Sequence, residues 1–288
     1  MQATSSMQAW HLRDRPFHWG ERTYLMGVLN VTPDSFSDGG KFTTVNAAIT
    51  QARQMRDHGV DILDIGGQST RPNAADVSLA EELDRVLPVV QALRADRQFD
   101  RIPISIDTTK AAVARAAIAA GADIINDISG ATFDDQMLST VAVLQVPLIL
   151  MHLRGTPQTM QQLTDYENLL VEIMEFLQGR ITAAIAAGIS RDLICIDPGI
   201  GFAKTAEQNI ELLQRMQGFK TLGCPILIGT SRKSFIGKIL DQPDPAKRVW
   251  GTAATCCMAI AQGGDILRVH DVAEMYDVVR VADALWRN

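Results

Sequence analysis

The chain has 288 residues, 47% hydrophobic and 21% charged, with 27 basic against 33 acidic residues for a formal charge of -6. That composition supports one large buried core and supplies no basic face for nucleic acid or an anionic membrane. No apolar run reaches the roughly 18 residues of a membrane span, and 1–19 lacks the apolar segment of a secretory leader, so a cytoplasmic protein is expected.

In chain order, residues 1–8 read as a flexible tail. Residues 9–20, with a turn at Asp14-Arg15-Pro16, read as a short hairpin. Eight short apolar runs follow, beginning at Tyr24, Asp61, Pro103, Asp123, Pro147, Leu193, Pro225 and Asp265. Their near-continuous apolarity suits parallel strands buried on both faces. Helical patterns separate them. Residues 46–58 stop at Gly59, 111–120 at Gly121, and the run from Tyr166 at Gly188, while Ser78 and Glu81 have capping-box spacing. Cys195, Cys224, Cys256 and Cys257 form no CxxC pair and read as free core thiols. Eight strand–helix units without a linker predict one (β/α)8 barrel domain over 1–288, its bottom closed by the hairpin. An open, doubly wound sheet is the alternative.

In such barrels the chemistry sits where strands end. The runs end in, or lead to, Asn30, Ser69-Thr70-Arg71, Asp107, Asn126-Asp127, Asp197, Ser231-Arg232-Lys233 and Arg268-Val269-His270. The two-residue period puts Asn30 on a face with Met26 and Val28, Asp107 with Ser105, and Arg268 with Ile266 and His270. If those faces point inward, two carboxylates, two amides, an arginine and a histidine converge. Arg232 and Lys233 fall where a helix begins, against its dipole, which suggests an anion site there. Two glycine-bearing loops, 31–43 with Asp34 and Phe36, and 66–77 with Arg71 and Pro72, read as closing elements.

The segments MGVLNVTPDSFSDGG (26–40), DIGGQSTRP (64–72), ISIDTTK (104–110), IINDISG (124–130), LMHLRGTP (150–157), IDPGIGFAKT (196–205), IGTSRKSFIG (228–237) and ILRVHD (266–271) resemble the dihydropteroate synthase family of folate biosynthesis. The resemblance covers nearly everything from Met26 onward. It implies a transferase that joins 6-hydroxymethyl-7,8-dihydropterin diphosphate to 4-aminobenzoate, releases diphosphate, and is a target of sulfonamides. It further implies a homodimer packed through the last helices, with Mg2+ as cofactor.

By that match, the pterin would meet Asp107, Asn126, Ile128, Met151, Asp197, Phe202, Gly229, Lys233 and Arg268. Diphosphate would meet Asn30, Thr70, Arg71, Arg268 and His270, with Asn30 as the direct protein ligand of Mg2+. Aminobenzoate would lie against Phe36, Thr70, Pro72, Phe202, Lys233, Ser231 and Ser234. Asp107, Lys233, Arg71 and Asp34 would carry catalysis. The chain departs from the common family wording at Gln68, where Glu is frequent, at Asn73 and Ala203, where Gly is frequent, and at Ile200, where Phe is frequent. The alternatives are a pterin-dependent methyltransferase domain, which needs no diphosphate or aminobenzoate site, and a catalytically silent pterin-binding paralogue.

Overall fold

The structure, a computed structural model, describes residues 7–32, 41–69 and 76–287, with side chains from residue 45 onward in the first helix. Its N-terminal hairpin pairs β1 (Trp10–Leu12) antiparallel with β2 (Arg15–Phe17), Trp10 opposite Phe17. The turn is Arg13-Asp14, both left-handed at φ 50° and 57°, as a two-residue hairpin turn requires. The turn expected at Asp14-Arg15-Pro16 is therefore displaced, because Arg15 and Pro16 lie in β2; a proline is tolerated there on an edge strand. Most of the expected tail lies outside the described residues, and Gln8 within it is tied down, its carbonyl accepting from Trp19 Nε1 at 3.0 Å.

Eight parallel strands follow: β3 (Tyr24–Asn30), β4 (Ile62–Gly66), β5 (Ile104–Asp107), β6 (Ile124–Asp127), β7 (Leu148–Met151), β8 (Ile194–Asp197), β9 (Leu227–Ile228) and β10 (Ile266–Val269). Their spatial order is β8-β7-β6-β5-β4-β3-β10-β9, and a bridge between Ile196 and Ile226 joins β8 to β9. That contact closes the ring, so the open-sheet alternative is set aside. Most strands begin one residue later than their apolar runs. Where the residue left out is an aspartate it caps a neighbour: Asp61, Asp123 and Asp265 each accept, through a carboxylate oxygen, the N–H of Leu25, Ile104 or Ile226 at 2.8–3.0 Å.

Helices α1 (Lys41–Asp57), α2 (Leu79–Ala95), α3 (Ala111–Ala119), α4 (Met137–Leu144), α5 (Leu169–Ala186) and α6 (Ala206–Gln214) alternate with the strands. β9 is followed by two helices, α7 (Ser234–Ile239) and α8 (Val249–Ala261), and β10 by α9 (Val272–Trp286). The first helix starts five residues before the expected Asn46, shortening the first loop. Gly59 ends it in a left-handed conformation, φ +86°, where a Cβ would meet the Tyr276 ring at 2.5 Å. The expected capping box on α2 is half formed. Ser78 accepts from Glu81 N, but the Glu81 carboxylate pairs with Arg85 instead. The reciprocal box stands at α6, between Thr205 and Gln208.

The large core lies between sheet and helices. A second one fills the lower barrel: Met26, Ile62, Ile124, Ile149, Cys195, Leu227 and Ile266 point inward onto Trp10 and Phe17 of the hairpin. The hairpin thus plugs the bottom, as expected. All four cysteines are free, and only Cys257 is not buried. Among the described residues no helix is long and apolar enough to cross a membrane.

Candidate active site

The inward face that is apolar at the bottom turns polar one layer up, because the two-residue period carries Ile62 to Asp64, Ile124 to Asn126, Cys195 to Asp197 and Ile266 to Arg268. At the centre lies Arg268. Its Nε donates to Asp64 Oδ2 at 2.6 Å and its Nη2 to Asp107 Oδ2 at 2.7 Å. Asn126 Nδ2 lies 3.3 Å from Asp64 Oδ2. Asn30 closes the ring at the top of β3: a Cβ built on Gly66 would meet Asp107 Cβ at 3.5 Å and Asn30 Oδ1 at 3.6 Å.

Two buried carboxylates thus share one guanidinium, and the electrostatics record the imbalance. Burial pushes Asp107 up to about 7; Arg268 opposes this and neighbouring Asp64 adds to it. Burial likewise lifts Asp197 to about 6, although Gly199 N donates to it at 2.7 Å and Lys233 is close. Lys233 is driven down to about 8, by burial first and by Arg268 second. For Arg268 burial works against the charge, but Asp64 and Asp107 more than offset it and its pKa is raised.

Lys233 Nζ lies 4.0 Å from the centre of the Phe202 ring, a cation–π contact. Phe202 joins Ile128, Met151, Leu153, Met160 and Ala203 in a small apolar cluster, so three expected pterin contacts share one wall. Gly229 passes against Arg268, where its missing side chain leaves room. Ser231 Oγ accepts from His270 N at 3.1 Å and lies 3.0 Å from His270 Nδ1, bringing those two expected residues together. Ser234 opens α7.

One expectation needs correction. Arg232 and Lys233 precede α7 rather than occupy its first turn, and they part company. Arg232 is left-handed, φ 60°, which sends its guanidinium to Asp271 (Nε–Oδ2 3.0 Å plus a second bond). Only Lys233 turns toward the barrel axis. Asp34, Phe36, Thr70, Arg71, Pro72 and Asn73 lie outside the described residues.

The departures at the other positions have physical readings. Lys110 Nζ donates to Gln68 Oε1 at 3.0 Å and to Glu82 Oε2 at 2.5 Å, so the neutral amide accepts where a glutamate would have made a second ion pair. Gln68 Nε2 also donates to Asp76 at 3.4 Å, which a carboxylate could not do. Ala203 adopts the left-handed conformation, φ 50°, that glycine takes easily, and Ile200 is buried in the main core.

Two residues escaped the reading of strand ends. Asp64 lies inside an apolar run rather than at its end, though the period-two argument that found Arg268 would have reached it from Ile62. Lys204, 3% exposed, is buried behind the Phe202 wall. No group of three or more His, Cys, Asp or Glu among the described residues could cage a metal. A hard cation that keeps its waters and takes substrate phosphate oxygens needs no such cage, and a single amide oxygen such as that of Asn30 suits it. A cavity of about 650 Å³ opens beside the ring, sharing Asp107 and Ile128 with it and extending over Lys110, Phe133 and Asp134.

Comparison with known proteins agrees with this geometry. Residues 26–270 match the pterin binding enzyme family. The dihydropteroate synthase of Synechocystis sp. is 60% identical over 271 residues, covering 94% of this chain and 93% of its own. The Xanthomonas albilineans synthase solved with 4-aminobenzoic acid superposes with a TM-score of 0.89 at 42% identity, covering 97% of this chain and 98% of its own. A Yersinia pestis synthase in a sulfonamide drug complex gives 0.89 at 40% identity over 96% and 99%. The chain belongs to the pterin binding enzyme family and, within it, to the dihydropteroate synthases.

Proposed function

We infer that the chain condenses 6-hydroxymethyl-7,8-dihydropterin diphosphate with 4-aminobenzoate to give 7,8-dihydropteroate and diphosphate. The observation that carries this is the buried polar ring of Asp64, Asp107, Asn126, Asp197, Lys233 and Arg268 above an apolar floor. Relatives support it: synthases similar to this chain have been solved with 4-aminobenzoic acid and with 7,8-dihydropteroate. At 60% identity to a dihydropteroate synthase, a methyltransferase or a silent paralogue is not favoured.

The pterin's 2-amino and ring N–H groups are adjacent donors, and Asp197 accepts them in pairs. Asn126 both donates and accepts at the ring edge. Lys233 faces a ring acceptor, and Arg268 stacks on the pterin plane. Asp64 and Asp107 engage two of the five guanidinium N–H donors of Arg268, so others stay free for diphosphate. Asn30, His270, Thr70 and Arg71 complete that subsite. Asn30 would hold Mg2+, which would supply neutralisation of charge on the leaving diphosphate. Aminobenzoate lies between Phe202 and Lys233, its carboxylate toward Ser231 and Ser234; the family match adds Phe36, Thr70 and Pro72.

An arylamine is largely unprotonated at neutral pH, so no strong base is needed. The bond between the pterin methylene and the diphosphate oxygen breaks first, its electron pair leaving with diphosphate. The cation delocalises into the pterin beside Asp107 and Asp64. The amine nitrogen then bonds to the methylene and releases a proton. Arg71 and Asp34, outside the described residues, are assigned to assist by the family match. Sulfonamides, flat anilines with an acceptor opposite the amine, compete for the aminobenzoate wall.

The protein works in the cytoplasm as a homodimer. Exposed apolar side chains on α7, α8 and α9, including Ile239, Trp250, Val281, Leu285 and Trp286, supply a face for the partner copy. The direct test incubates the protein with Mg2+, the pterin diphosphate and 4-aminobenzoate. Equal amounts of dihydropteroate and diphosphate are expected; neither product from folded protein would overturn the reading.

A further inference from the structure

Residues 199–203, between β8 and α6, form a turn in which every second residue is left-handed: Gly199 at φ +72°, Gly201 at +83° and Ala203 at +50°. The carbonyls of Gly199 and Phe202 converge on the buried side of this turn, and the Lys204 side chain reaches between them. Lys204 Nζ donates to Gly199 O at 2.9 Å and to Phe202 O at 2.9 Å, and it lies 3.1 Å from His152 Nδ1. An ammonium has three donors, and here are three acceptors. His152 suits the third place because burial, with Lys204 adding, drives its pKa down to about 2. The ring is therefore neutral, and accepting at Nδ1 puts its proton on Nε2. Tyr166 Oη holds the far shoulder of the turn through Ala203 O at 3.0 Å.

On the outer side this turn packs against the site. A Cβ on Gly201 would meet Lys233 Cδ at 2.8 Å, and the Phe202 ring receives Lys233 Nζ. All three Lys204 donors are engaged inside the turn, so it has none to offer a substrate. We propose that Lys204 is a positioning residue that acts through Phe202, its buried amino group fixing the turn so that the Phe202 ring forms the aminobenzoate wall against Lys233. This rests on the assignment of Phe202 to that wall. An apolar side chain leaves the inward carbonyls of Gly199 and Phe202 unpaired, and the turn relaxes away from Lys233.

The test is a double-mutant cycle of Lys204→Met with Phe202→Ala, reading KM for 4-aminobenzoate and, by calorimetry, the Kd of the pterin diphosphate. Lys204→Met is expected to raise KM about tenfold with Phe202 present and less than about twofold in the Phe202→Ala background, with a distinctly smaller loss of pterin affinity. Equal factors in both backgrounds, or a parallel loss of pterin affinity, would overturn the proposal while leaving the Phe202 wall intact. An unchanged KM in Phe202→Ala alone would remove the wall itself, and the proposal with it. Should Lys204→Met not yield folded protein, Tyr166→Phe removes a single bond to the same turn and is judged by the same cycle, with a smaller rise expected.

Discussion

The two ends of the barrel use the same residue types to opposite effect. At the bottom, Asp123 is held by Arg13 at 2.6 Å, Arg94 at 2.6 Å and the Ile104 N–H at 2.8 Å; Asp61 is held by Arg15, Arg22 and the Leu25 N–H. Both of these carboxylates have more than one cation. At the mouth the ratio inverts among the described residues, because Asp64 and Asp107 divide a single arginine between them. The bottom is compensated within the protein and holds the fold. Among the described residues the Asp64–Asp107–Arg268 group is left short of positive charge, and a cation developing on a bound pterin would supply it. The difference shows that buried ion pairs are not one kind of feature; what matters is whether the ledger closes without a ligand.

Substitutions at each end break that comparison in different ways. The largest expected effect is at Lys233. Lys233→Ala should lower kcat/KM by roughly a thousandfold while leaving the thermal midpoint close to the parent, since it removes a group turned toward the ligand. Steady-state kinetics beside a melting curve checks this, and parent kcat/KM in the variant would sink the assignment. Next come the two arginines. Arg94→Met, which takes a buried partner from Asp123, should destabilise the fold by about 3 kcal/mol with kcat/KM unchanged. Arg268→Met should lose activity at any temperature at which it remains folded. Denaturant unfolding with parallel kinetics separates the two, and equal activity losses would abolish the contrast.

How much of this was legible in the sequence differs between the two ends as well. The barrel followed from period and punctuation, since eight apolar runs separated by helical patterns leave few arrangements. Asn126, Asp107, Asp197 and Arg268 were legible because strand ends in a barrel converge. Asp64 was hidden by its own surroundings, an apolar run that made it look like core. Arg232 was misread because a left-handed residue reverses the direction of a side chain, and nothing in an Arg-Lys pair announces that conformation. Lys204 lay in a quoted motif, yet its role depends on carbonyl directions that only the folded turn reveals.

The pH dependence sharpens the comparison further. Asp107 and Asp197 must be ionised, with pKa near 7 and 6, and Lys233 protonated, with pKa near 8. The profile of kcat/KM should be bell-shaped, falling as pH drops below about 7 and again as it rises above about 8. In Asp107→Asn the surviving activity should lose the upper acid limb and retain the one from Asp197.

The smallest effect is on stability. The folded pKa of Asp107 lies above its unfolded value of about 3.9, so its contribution to stability falls as pH rises from about 4 to 7. Asp107→Asn should therefore melt higher than the parent at about pH 8, by about 2–4 °C for each 1 kcal/mol relieved, and the gap should close near pH 5. A gap that widens on acidification would show that Asp107 is compensated after all.

The claim that the mouth is built to receive a cation is tested most directly by positional isotope exchange. The pterin diphosphate carries oxygen-18 at the bridge between methylene and phosphorus, and enzyme and Mg2+ are supplied with an unreactive aminobenzoate analogue in place of the amine. Reversible loss of diphosphate should move the label into non-bridging oxygens, faster with the parent than with Asp107→Asn. A label that stays in the bridge, together with a rate that climbs steeply with amine nucleophilicity, would mean direct displacement and would contradict the account.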